Sequence, residues 1–236
     1  VKNNINYGVA MLQTKVGLAS GVSTFNDNRH AITGETNQTL TADQVRQFQL
    51  MGVLVGNQNP NLGWNYLATS SESTDWNYVV YDNKINGTGA VPTPEGEENY
   101  TLLFDNYIPS VTQTADVLVA LEFKNNGADF YGLGNMIRTG GTFYLVGKLT
   151  LASATNSVVW PSTYAIPPYN AAGASQQVAR VFIQDYMTTA TFKIGANSLQ
   201  KAFVTVPDLR SSQTSLGLSV DLNWQTGLNF ETELGL

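Results

Sequence analysis

The sequence predicts an all-β protein, an antiparallel β-sandwich with long loops and little helix. Two observations carry this. The C-terminal stretch alternates: Leu216, Leu218, Val220, Leu222 and Trp224 take every second position, with Gly217, Ser219, Asp221 and Asn223 between them. A pleated strand sends successive side chains to opposite faces, so this is a strand with one dry and one wet face. Short runs of similar character recur between turn-rich segments, and no stretch carries long helical periodicity. At 236 residues the chain can bury a real core, as one large β domain or two small ones.

Taken in order, residues 9–16 (VAMLQTKV) form the first strand, and 17–25 continue it or pair with it. Residues 26–38 read as loop, rich in Asn, Asp, Gly and Thr, and hold the only histidine, His30. Thr41 followed by Gln44 supplies acceptors that cap a short helical turn. Residues 48–55 (FQLMGVLV) are an apolar run of strand length, closed by the turn residues 56–60. Residues 56–110 read mostly as a long inserted loop, with strands at 76–81 (WNYVVY) and 101–104 and a linker-like stretch at 87–98 (GTGAVPTPEGEE). The expected organisation is one sandwich domain over 1–236 with this insertion; the alternative is two small β domains split near 87–98.

The second half is more regular. Val117, Val119, Leu121 and Phe123 alternate with Leu118, Ala120 and Glu122, and in 142–151 Phe143, Leu145, Leu149 and Leu151 share a face. Residues 158–169 read as a Pro-containing crossing loop holding Trp160, Tyr164 and Tyr169. Further strands are expected at 181–183, 189–194 and 203–206, and then the terminal pair. After Gln225, Thr226 and Gly227 break the alternation, Leu228, Phe230, Thr232 and Leu234 resume it against Asn229, Glu231 and Glu233.

Composition excludes several function classes. Charged residues make up 13% of the chain, about half the roughly 25% of ordinary domains, and Ser, Thr, Asn and Gln replace them, as in many secreted and surface β-proteins. A net charge of −6 and the lack of any Lys/Arg cluster argue against a nucleic-acid partner. No apolar run approaches the ~18 residues of a membrane span. The absence of cysteine rules out disulfides and thiolate metal sites within this chain, and the start at Val1 suggests a processed protein or a fragment.

Catalytic chemistry is hard to place. One histidine and no cysteine exclude most Ser-His-Asp, Cys-His and zinc arrangements, and no phosphate-binding Gly-rich fingerprint or Asp-x-Asp-x-Asp-Gly calcium loop is present. No cofactor, metal or catalytic residue is therefore expected, and the chain does not read as an enzyme. A glycosidase needs only two acids, for which Glu95, Glu97 and Glu98, or Glu231 and Glu233, are the candidates. Solvated charges are the favoured reading of both sets. Trp64, Trp76 and Trp160 can build a sugar-stacking platform, which makes a surface lipoprotein carbohydrate-binding module the alternative function. The sequons at Asn37, Asn86 and Asn99 are weak signals.

Three blocks near the end resemble the C-terminal domain of the fimbrillin family, the subunits of type V pili. They are 182–194 (FIQDYMTTATFKI) with Asp185 and Tyr186, 198–210 (SLQKAFVTVPDLR) with Pro207, Asp208, Leu209 and Arg210, and 216–230 (LGLSVDLNWQTGLNF) with Trp224. Residues 141–149 also fit, and the close match covers about the last third of the chain. The resemblance implies a transthyretin-like sandwich, export as a lipoprotein precursor to the outer membrane of a Gram-negative bacterium, and display in a surface fimbria. It also implies cleavage after an arginine that frees a groove, which a strand of the neighbouring subunit then fills. Leu228, Phe230, Thr232 and Leu234 would form that donor strand; the alternative is that they close their own domain. The implied partners are other pilus subunits and host or bacterial surface ligands. Asp208 and Arg210 read as a structural charge pair or turn.

Overall fold

The computed structural model describes residues 2–5, 10–58, 78–84, 101–108, 116–150, 158–160, 176–178, 181–182, 186–210, 214–226 and 230–233. In chain order the first strands are β1 (Lys2–Ile5), β2 (Ala10–Leu18), β3 (Thr24–Asn26), β4 (Thr39–Thr41), β5 (Gln49–Gln58) and β6 (Tyr78–Asp82). Then come β7 (Thr101–Ile108), β8 (Val117–Lys124), β9 (Phe130–Tyr131), β10 (Met136–Ile137) and β11 (Thr142–Leu149). The last are β12 (Val158–Trp160), β13 (Gln176–Val178), β14 (Tyr186–Ile194), β15 (Leu218–Thr226) and β16 (Phe230–Glu233). Helix is limited to α1 (Arg29–Thr33), α2 (Ala42–Arg46) and a 3-10 turn at Leu199–Lys201 among the described residues. The protein is all-β, as expected.

Two four-stranded sheets dominate, one in the order β11-β8-β5-β6 and the other β15-β14-β2-β7. Every pairing among the described residues is antiparallel except β2 with β14, which run parallel. The alternation of each strand explains the core between them. Val117, Val119, Leu121 and Phe123 of β8, Phe143, Leu145 and Leu149 of β11, Leu12 and Val16 of β2, and Phe192 of β14 are all buried in one cluster. Its aromatic centre is Phe48, Phe123, Phe130 and Phe143, with Phe48 and Phe143 edge-to-face at 5.0 Å. Gly147 falls on the inward face of β11, where a Cβ would stand 2.8 Å from Phe192 and Val220 of the other sheet. Its missing side chain lets the two sheets close at the β11 and β15 edges. There Tyr144 and Phe203 exchange two backbone hydrogen bonds, at 2.8 and 2.9 Å, and the Gly217 N–H donates to the Val146 carbonyl at 2.9 Å.

Several elements differ from the sequence reading. Of residues 17–25, Gly17 and Leu18 continue the first strand, as one expectation has it, but β2 ends there and β3 pairs with β4 rather than with it. The loop over 26–38 contains α1. Residues 203–206 form no strand; Phe203 makes a single bridge to Tyr144, and Val206 is 56% exposed. Val181 and Phe182 are buried in a bend. The crossing loop supplies β12, paired with β13. Strand β7 runs to Ile108 and is the edge of the second sheet, so the region read as an insertion gives an edge strand to each sheet. Leu216 lies before β15 and is 41% exposed. Leu118 and Ala120, placed on a wet face by alternation, are buried beneath Leu209. Residues 87–98, Leu151, Tyr164, Tyr169 and Ile183 lie outside the described residues.

Candidate functional site

The last strand belongs to neither four-stranded sheet. β16 pairs antiparallel with β1 at the other end of the chain, with Phe230 opposite Ile5 and Thr232 opposite Asn3. This ribbon is four residues long, against nine for the pairing of β15 with β14. Leu228 and Leu234 lie outside the described residues. The two main sheets each keep an edge with one strand neighbour among the described residues: β6 has only β5, and β7 only β2. Edge strands expose a row of backbone donors and acceptors and template pairing with another chain.

The residues singled out between 185 and 224 divide between the β14–β15 ladder and a crossing segment on the outer face of the first sheet. Tyr186 opens β14, half-buried and opposite Thr226, and Trp224 stands opposite Thr188 in the same ladder. Asp185 lies outside the described residues. Pro207 is buried. Leu209, 1% exposed, packs with Leu54, Leu118, Ala120 and Val146 on the outer face of the first sheet. A Cβ at Gly56 would stand 2.7 Å from both the Cβ and the carbonyl oxygen of Leu209, so glycine there admits the crossing segment. Between these two buried side chains the chain turns outward. Asp208 Oδ1 accepts from the Arg210 backbone N–H at 3.0 Å and from its Nε at 2.9 Å. The hydrogen bond from the guanidinium holds the Asp208 carboxyl below its ordinary range.

Of the other candidates the structure describes a part. Glu231 and Glu233 lie on β16, opposite Asn4 and Lys2. Trp160 lies in β12, opposite Gln176. Trp64, Trp76, Glu95, Glu97, Glu98, Asn86 and Asn99 fall outside the described residues. His30 is exposed on α1, and its backbone N–H donates to Asn37 Oδ1 at 2.6 Å. No group of three or more metal-ligating side chains occurs among the described residues.

Two carboxylates that sequence reasoning missed are organised instead. Asp27 is fully buried and accepts from the backbone N–H groups of Arg29 (3.2 Å), Gln38 (2.7 Å) and Tyr131 (3.2 Å), tying together α1, the residue that leads into β4, and β9. Glu122 lies on the outer face of β8. Its Oε2 accepts from the Tyr81 hydroxyl at 2.7 Å and its Oε1 from the Tyr144 hydroxyl at 3.0 Å. Tyr81 reaches Glu122 across β5 at Gly52, where a Cβ would stand 2.6 Å from the ring and 2.9 Å from the carboxylate. The hydrogen bond to Glu122, then burial, pushes the Tyr81 hydroxyl up to about 12. For Tyr144 burial comes first and the same carboxylate second, with the same result of about 12. Both phenols stay protonated and act as donors. Alternation already puts Glu122 on a polar face; the register that brings the tyrosines to it is not a local signal.

No family model matches this chain, and no curated protein matches it either. Among solved structures, a candidate cell adhesion protein from Bacteroides eggerthii DSM 20697 is similar at a TM-score of 0.37 and 8% identity. Another, from Parabacteroides distasonis ATCC 8503, is similar at 0.37 and 9%. Each alignment covers 94% of this chain, which spans 57% and 60% of the length of those proteins. Likeness this low leaves the function to be argued from the chain's own residues.

Proposed function

We propose that this chain is a non-catalytic structural subunit of a bacterial surface fimbria, which polymerises by passing its terminal strand to a neighbouring subunit and supports adhesion. The observation that carries the reading is the place of β16: it stands outside both four-stranded sheets, in a four-residue ribbon with β1. A two-stranded ribbon is marginal by itself, so this pairing is cheap to open. The edges of β6 and β7 are candidate acceptors. The resemblance of residues 182–194, 198–210 and 216–230 to fimbrillin subunits supports the same reading.

The energetics set what the acceptor must supply. Fixing a flexible strand costs about 1–2 kcal/mol per residue in backbone entropy. Burying an apolar anchor such as Leu228, Phe230 or Leu234 returns roughly 1.5–3 kcal/mol. Anchors alone do not hold the strand; a full backbone ladder and a preformed groove are required. Passing a strand from each subunit to the next is a heterologous contact, and such contacts grow open filaments. The partner is another copy or a co-assembling fimbrial subunit, at the cell surface of a Gram-negative bacterium.

Removal of residues 227–236 tests the reading. The expected result is a folded, cooperatively unfolding chain that no longer forms the filaments the intact protein forms in electron micrographs. Loss of the fold on truncation, or filaments that survive it, would overturn the proposal. Saturable glycan binding by a chain that never assembles would favour a carbohydrate-binding module instead.

A further inference from the structure

We infer that Tyr81, Glu122 and Tyr144 form a recognition site for a guanidinium group, presented by an arginine side chain of a partner protein. The site is built from three strands, and Gly52 is the residue that makes it possible, since any side chain there would part Tyr81 from Glu122. Tyr81 remains 51% exposed, at the edge strand of the sheet. Val79, two residues along the same strand and so on the same face, is 41% exposed and offers an apolar margin for an arginine stem.

Hydrogen-bond capacity decides the ligand class. A phenol has one proton to donate, and both tyrosines give theirs to Glu122. What remains on the two phenol oxygens and the carboxylate is acceptor capacity alone, so the ligand must bring donors. Charge points the same way. Among the described residues no cation lies within ion-pair distance of Glu122, a feature it shares with Asp82 and Asp129, while Asp27, Glu35, Asp43, Asp116, Asp208 and Asp221 each have one. Lys124, on the same face of β8, forms no ion pair with it. The chain's net charge of −6 favours a basic partner. A guanidinium carries donors only, is flat, and stacks on an aromatic ring. A lysine ammonium lacks the flat face, and a sugar hydroxyl brings no positive charge to the carboxylate.

The test is an amide-resolved NMR titration of the intact, unassembled chain, so that it stands or falls independently of polymerisation. The probes are Nα-acetyl-arginine amide, Nα-acetyl-lysine amide and a neutral gluco-oligosaccharide. The expected result is a saturable response to the arginine probe centred on Gly52, Tyr81, Glu122 and Tyr144, with a weaker response to the lysine probe. Glu122→Gln should weaken arginine binding about tenfold with the amide dispersion unchanged. Should that variant fold poorly, Tyr81→Leu at the edge strand removes the flat face and should abolish the preference for arginine over lysine. A response spread evenly over the surface carboxylates, one unaffected by either variant, no response at all, or binding of the oligosaccharide in preference would each overturn the inference.

Discussion

Leu209 reaches the outer face of the first sheet from a segment that forms no strand of its own, and buries itself among Leu54, Leu118, Ala120 and Val146. Truncating a buried leucine removes its transfer energy and leaves a cavity, at a cost of about 2–5 kcal/mol. This cluster is small and lies near the surface, so Leu209→Ala should cost about 2–3 kcal/mol, read as a lowered urea midpoint. Arg210→Ala, one position on, should leave that midpoint nearly unmoved, because the exposed pair with Asp208 is screened by solvent. A motif of four adjacent residues thus divides into two that pack and two that turn the chain. Tyr81 and Tyr144 make a second prediction. Their hydroxyls ionise at about 12 in the folded chain, against about 10 for an unfolded tyrosine. Because the folded value is raised, the stabilisation is fully present below pH 10 and is lost as pH rises from about 10 through 12. Tyrosine ring-carbon NMR should show Tyr81 and Tyr144 titrating late, both returning toward 10 in Glu122→Gln.

Short-range chemistry made some elements legible and left others hidden. The Thr41 cap could be read because donor and acceptor lie three residues apart. The structure completes the box: Gln44 N–H donates to Thr41 Oγ1 at 3.3 Å, and Thr41 N–H to Gln44 Oε1 at 2.9 Å. Thr41→Ala should cost about 1 kcal/mol in thermal or urea unfolding. The stretch 203–206 looks the same locally as a strand, yet Phe203 meets only Tyr144. Pairing is a property of two segments, and one segment does not reveal it. Leu118 and Ala120 make the same point from the other side: alternation assigned them to solvent, and a crossing segment more than 80 residues later in the chain covers them. β7 outran its expected length because Asp105 and Asn106 break the apolar run while the backbone ladder to β2 continues.

At the scale of the molecule, both sheets draw strands from either side of residues 87–98, with β2 and β14 parallel at the centre of one of them. That interleaving was not legible, because alternation specifies a face and not a neighbour. The Tyr81, Glu122 and Tyr144 cluster was hidden for the same reason, its members being 41 and 22 residues apart. That the chain ends on two strands was legible, and the account turns on what the last one does. The four-residue ribbon of β1 and β16 must open if the terminal strand is to join another subunit. The chain has no cysteine, so Asn4→Cys with Glu231→Cys places one disulfide across directly opposed positions of that ribbon. Filament assembly of this variant, followed by light scattering and electron microscopy with and without reductant, is the most direct measurement. The account predicts monomers while the disulfide is closed and filaments once it is reduced. Filaments that form equally well with the disulfide intact would contradict it.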